Sequence, residues 1–205
     1  MKNIYSILIV ILIVFFSACK NETKEVGPSK QKQELKEASS NIAPSYQQIG
    51  LNIAFTTKSQ LGKNLMGVMK EKGSVEALKF CNIKAMTLTD SMATVHKAMI
   101  KRVSDKTRNP NNKANETELK NIETFKNRIS NSEEIAPIIE TINDSIYFYY
   151  PIITNDMCLK CHGTPNEDIN QATLTSLNDL YPTDKAVGYS INQVRGIWSI
   201  QFQKQ

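Results

Sequence analysis

Apolar positions recur every three or four residues through the first half of this chain and crowd into short branched and aromatic runs in the second. From Pro44 to about Lys72, residues Ile49, Ile53, Leu61, Leu65, Val68 and Met69 fall near one face, the spacing of a helix. Gly50, Gly62 and Gly67 weaken it. Gly73 is placed to stop that helix, and Ser74 to cap a second one with Glu76 in its first turn. On the second helix Val75, Leu78, Cys81, Ala85, Leu88 and Met92 keep the helical interval, so Cys81 faces inward. Residues 108–112 (RNPNN) form a turn cluster, and Glu116 to Ile129 reads as a third, amphipathic helix.

After Pro137 the period changes. Ile138 to Ile142, a turn at Asn143-Asp144 and Ile146 to Ile153 read as a β-hairpin. A short helix around Leu174 to Leu180 ends at Tyr181-Pro182, and Ala186 to Ile191 with Ile197 to Phe202 reads as a second strand pair. Trp198 is most simply sheet core. Helices first and an antiparallel sheet afterwards predict an α+β domain.

The N-terminus lies outside that pattern. Lys2 precedes an apolar stretch from Ile4 to Phe16, broken only by Tyr5 and Ser6. It is shorter than the roughly 20 residues a bilayer helix needs, and reads as a secretory signal peptide over residues 1–18. Phe16-Ser17-Ala18-Cys19 looks like a bacterial lipobox, with Phe16 where Leu is usual. Lipidation at Cys19 predicts a membrane-anchored, extracytoplasmic lipoprotein; ordinary cleavage leaving a free Cys19 is the blander alternative. Residues 19–43 are rich in Lys, Glu, Ser and Gln and read as a flexible tether, leaving residues 44–205 as the domain.

Of 205 residues, 40% are hydrophobic, which supports a buried core in one domain. The net charge of +5 comes from lysines scattered among acids, without the aromatic interleaving of a nucleic-acid surface, and export argues against that partner too.

The chemistry concentrates in Cys158-Leu159-Lys160-Cys161-His162, the Cys-x-x-Cys-His string of c-type haem attachment. Two thiols three positions apart reach the two vinyl groups of one porphyrin, and the next histidine swings under the iron. Two competitors are weaker. A thioredoxin-like site expects a βαβ context, and a zinc site needs a fourth ligand. Haem c, one per chain and covalent, is the expected cofactor.

Four cysteines are present. With Cys19 assigned to lipid and Cys158 and Cys161 to haem, Cys81 is left over. The iron's sixth position has few candidates: His96, Met66, Met69, Met86, Met92, Met99 and Cys81. Each has a bland reading, because methionines fill core gaps, lone histidines are seldom ligands and a buried free cysteine behaves as a small apolar residue.

Six segments carry a family resemblance: residues 77–85 (ALKFCNIKA), 102–112 (RVSDKTRNPNN), Tyr150-Pro151, 157–163 (MCLKCHG), 181–189 (YPTDKAVGY) and 195–200 (RGIWSI). In this order they resemble the single-haem c-type domains with a PAS-like fold found in cyanobacterial soluble cytochrome-like proteins and in extracytoplasmic input domains of some histidine kinases. The resemblance covers most of residues 77–200. It implies a PAS-like antiparallel sheet under N-terminal helices, with His162 as proximal and Cys81 as distal iron ligand. That family often has proline after the alanine matching Ala85, where this chain has Met86. Arg102, Arg108 and Arg195 lie in the resembling segments and are candidates for propionate contacts; an exposed surface arginine is the bland reading of each.

A thiolate donor stabilises ferric iron, so a low-potential, six-coordinate haem is expected. The functional expectation is redox or gas sensing, with a distal ligand that leaves on reduction, or low-potential electron transfer. No output domain is read in this chain, so sensing would require a separate redox or signalling partner. The alternative is a small haem enzyme, peroxidase-like or nitrite-reductase-like, for which only His96 offers a distal acid–base group. A structural lipoprotein with zinc or a disulfide at 158–161 is a third reading. The outer membrane or periplasmic face is favoured.

Overall fold

Residues 45–202 are described by the computed structural model; the expected signal peptide, lipidation at Cys19 and tether lie outside them. Helix α1, Tyr46–His96, opens on a capping box. Gln48 N–H donates to the Ser45 hydroxyl, and Ser45 N–H donates to Gln48 Oε1 at 3.0 Å. Its one break is Gly73, whose φ of 79° lies in the left-handed region that only glycine enters freely. The expected stop at Gly73 is therefore a single-residue hinge. Ser74, expected to cap, instead sets its hydroxyl 2.5 Å from Thr173 Oγ1. His96 Nε2 comes 3.0 Å from Thr56 Oγ1, so the arm beyond the hinge runs back past the first.

Strand β1, Ala98–Val103, follows at once. A 3-10 turn, Pro110–Asn112, leads to helix α2, Glu116–Ser130, capped by Asn115. Strands β2, Ile138–Ile142, and β3, Ser145–Ile153, form the predicted hairpin. Asn143 and Asp144 both have positive φ (48° and 62°), as a type I′ turn requires. Two short helices come next, α3, Asp156–His162, and α4, Gln171–Leu180, before strand β4, Val194–Phe202. The sheet order is β1-β4-β3-β2, antiparallel throughout.

Successive residues of a strand point to opposite faces, and this sheet buries both. Ala98, Ile100, Phe148, Trp198 and Ile200 meet Ile53 and Ala54 of α1. Val103, Tyr149 and Ile197 meet Ile122 and Phe125 of α2. Gly50 lets α1 lie directly on the sheet, because a Cβ there would enter the Phe148 ring.

Two strand expectations are corrected. Ala186 to Ile191 is not a strand, and β4 pairs with β1 instead. Residues 184–190 run as an extended strap whose hydrogen bonds go to α3 and to residues 104–108 rather than to the sheet. β1 escapes the pattern search because Met99 is exposed on the outer side and Arg102 occupies an inner position.

Candidate haem-motif site

Helix α3 is one short turn pair, and its brevity sets the geometry. Asn155 caps it, accepting from Cys158 N at 3.2 Å. Cys158 and Cys161, three apart, therefore share a face one turn apart. Both are free, half-buried thiols. Gly163 ends the helix where a Cβ would collide with the Asp168 side chain, whose carboxylate accepts from Thr164 N at 2.8 Å.

A helix end leaves carbonyls without partners. Here Gly188 N donates to Gly163 O (2.8 Å) and Tyr189 N to His162 O (2.9 Å), both from the strap. Arg108 Nη2 donates to Cys161 O at 2.5 Å. Arg108 is buried and also donates to Ala186 O, while its Nε pairs with Asp184 at 3.0 Å. It ties the strap to the motif. Lys106 Nζ adds a bond to Val187 O at 2.8 Å and sits 4.5 Å above the Tyr189 ring.

The His162 ring is oriented by the same strap. Its Nδ1 lies 2.7 Å from Ala186 O and 3.2 Å from Arg195 Nε. A carbonyl only accepts and Arg Nε only donates, so one proton on Nδ1 satisfies only the shorter contact. Nδ1–H then donates to Ala186, and Nε2 keeps its lone pair. Burial, and then the charges of Arg108 and Arg195, push the imidazolium well below its ordinary range, so the ring is neutral. A neutral imidazole with one nitrogen tied to a carbonyl is the form a metal ligand takes.

Arg195 reaches this ring because of an irregularity in β4. Ile152 pairs with Gly196 and Ile153 with Val194, so Arg195 is an inserted residue, a β-bulge. Val194 and Ile197 both join the α2 core although three positions separate them. The bulge thus turns the side chain of Arg195 away from that core, where its Nη1 donates to Ser104 Oγ at 2.8 Å and to Lys106 O at 3.2 Å.

Cys81 arrives from the second arm of α1, one helical turn from the buried Leu78 and another from the buried Ala85. Burial raises its thiol to about 11, with a further upward push from Cys161 and opposing pulls from Arg102 and Arg108. The fold thus brings Cys81 within charge reach of a haem-motif cysteine 80 positions away. Cys161 is itself raised by burial, against the lowering charge of Arg108.

The other candidate ligands are not gathered here. His96 lies fifteen residues beyond Cys81 on one arm, about 22 Å at 1.5 Å per residue, and meets Thr56. Met66, Met86 and Met99 are exposed, Met92 packs on the core under α1, and Met69 is half-buried on the first arm. None of Arg102, Arg108 and Arg195 is an exposed surface arginine. Sequence reasoning missed the strap carbonyl of Ala186, the bulge at Arg195 and the capping Asn155. Only the last left a signal, an Asn immediately before a short helix.

Free thiols at 158 and 161, a neutral His162 with Nε2 open, and a third thiol on the facing helix suit a haem held by two thioethers and two axial donors. Among the described residues no group of three or more His, Cys, Asp and Glu side chains is placed to hold a bare metal ion. A cavity of about 310 Å³ between α4 and the strap shares Asp184 and Val187 with this region but includes none of the four donors. They lie instead where α1, α3 and the strap meet.

Comparison with known proteins agrees in fold. The crystal structure of the cyanobacterial haem protein Tll0287 superposes with a TM-score of 0.57, covering 76% of this chain and 96% of that one at 20% identity. No curated protein matches. The model of the Tll0287-like family matches residues 21–202, and this chain belongs to that family.

Proposed function

We propose that this protein binds one covalent c-type haem through Cys158 and Cys161, with His162 and Cys81 as axial ligands, and serves in low-potential electron transfer or redox and gas sensing. The observation that carries it is a neutral, carbonyl-tethered His162 on the turn that holds Cys158 and Cys161, with Cys81 near enough to Cys161 to feel its charge. Membership of a family that includes a solved haem protein supports the cofactor.

The bound haem supplies a reversible one-electron couple at iron. The chain's own residues then decide how that couple is poised. The Ala186 carbonyl holds the His162 ring and raises its donor strength. Held by the haem iron, Cys81 would give up the proton that burial keeps on its thiol, and the thiolate so formed would favour the oxidised form and a low potential. Hydrogen bonds from the strap and from Arg108 hold α3 and would keep His162 in place under a bound haem. With both His162 and Cys81 holding the haem, no place would be left at the iron for substrate turnover. The lone remaining histidine, His96, is engaged with Thr56, so a peroxidase-like reading lacks a distal acid–base group.

Export with a lipid on Cys19, the tether over 19–43 and a membrane-proximal working place complete the proposal; the partner is a redox or signalling protein. Absorption and EPR spectra of the holoprotein and its Cys81→Ser variant test the ligation. A low-spin ferric signal that changes sharply on substitution is the expected result. An unchanged spectrum would remove Cys81 from the iron. Colour that survives acid–acetone extraction checks the covalent bond, and peroxide turnover rivalling dedicated peroxidases would favour the enzyme reading.

A further inference from the structure

Three guanidinium groups surround the proposed site, and two of them are tied to protein acceptors by several short hydrogen bonds. Arg108 spends Nε on Asp184 and Nη2 on the Cys161 and Ala186 carbonyls. Arg195 spends Nη1 on Ser104 and Lys106, with Nε against the His162 ring. Arg102 differs. Its only hydrogen bond is a long one, Nη2 to Ala85 O at 3.3 Å, and its Nε–H is buried with no acceptor among the described residues.

A buried, charged donor without an acceptor is rare in folded proteins and points to a partner not made of protein. The position of Arg102 narrows the chemistry. It stands on β1 on the face covered by α1, and its head meets the helix at the turn between Cys81 and Ala85. The charges it feels are those of Cys81, Tyr181 and Asp90. Asp90 is exposed and makes no hydrogen bond to it. No carboxylate among the described residues closes on Nε, whereas Arg108 has Asp184.

We infer that Arg102 receives a propionate carboxylate of the bound haem, and so is the residue that neutralises the acidic edge of the cofactor on the Cys81 side. This rests on the haem reading above. A carboxylate satisfies Nε and balances the buried charge in one contact. Arg108 and Arg195 then act as positioning residues for the motif and the ring, and Arg102 is the one of the three whose buried Nε–H has no acceptor among the described residues.

The test uses the full-length holoprotein and follows the midpoint potential against pH in the wild type, Arg102→Gln and Arg102→Lys. With Arg102→Gln the released propionate carries an unbalanced charge beside the iron. The oxidised form should gain about tenfold in the redox equilibrium, about 59 mV for one electron. A pH dependence absent from the wild type should appear between about pH 5 and 8. Arg102→Lys keeps the charge and should restore most of the wild-type potential, and it also serves if the glutamine variant does not accumulate. A potential and pH profile in Arg102→Gln equal to the wild type, with haem in place, would make Arg102 a brace for the Ala85 carbonyl and overturn the inference. A wild-type protein without a pyridine haemochrome band would instead bring down the haem reading itself.

Discussion

Under α2 the sheet offers Val103, Tyr149 and Ile197 to Ile122 and Phe125, whereas under α1 the same strands pass from Phe148 and Ile200 to Arg102. Polar groups on the α2 side find partners at shorter range, the farthest being Lys126 to Asp105, 21 positions apart. Buried Glu118 accepts from Asn115 N, three residues away, at 2.9 Å. On the other side they reach across the chain: Arg108 to Cys161 spans 53 positions, and Arg195 to Ser104 spans 91. One face is an apolar core in which side chains need only pack. The other stays assembled only while distant segments hold one another, which is where a cofactor can be gripped from several directions.

The largest separation of the two faces comes from Phe125→Ala. The ring is fully buried, so denaturant unfolding should show a loss of about 3–5 kcal/mol. The iron spectrum of the protein that stays folded should not move. A spectral change would mean that the faces are mechanically one. Gly163→Ala acts on the opposite side, with about 1–3 kcal/mol lost because its Cβ meets Asp168. Here the spectrum should respond, since Gly163 O and His162 O are both held by the strap. Unaltered ligand-field bands would show that the strap does not steer the ring.

The smallest effect probes the link between the faces. Lys126 on α2 reaches Asp105 at 2.6 Å, in the segment that also pins the strap. Burial raises the Asp105 carboxyl, but the Lys126 hydrogen bond and charge outweigh it, and the net direction is down. A depressed carboxyl stabilises the fold above its unfolded value of about 3.9, and that contribution fades as pH falls toward the folded value. The pair is partly exposed, so Lys126→Met should cost only about 0.5–1 kcal/mol near neutrality. The gap from the wild type should hold down to about pH 4 and shrink below it. A gap that widened in acid would contradict the pairing.

Where structure follows from neighbours in the chain, it was legible. The hairpin turn at Asn143-Asp144, the inward Cys81 and the helix over 116–129 all follow from short-range spacing and turn chemistry. β1 was hidden because Arg102 takes an inward strand position that pattern reading reserves for apolar residues. The strap was misread as a strand for the opposite reason: it has strand-like residues, but its backbone bonds go to α3. Within the site, the motif at 158–162 announces itself. The carbonyl of Ala186 does not, because every residue has one and only the fold decides which is aimed at an imidazole.

The bulge at Arg195 gives the last strand two reading frames. C-terminal of it, odd-numbered positions are written into the α2 core; at the inserted residue the parity flips. A strand that alternated straight through Arg195 would deliver a guanidinium to Val194's apolar neighbours and a valine to the imidazole. Removing Arg195 would leave Val194 in the α2 core by plain alternation and take the guanidinium from the imidazole, so the extra residue is what lets one strand serve a core and a site side by side.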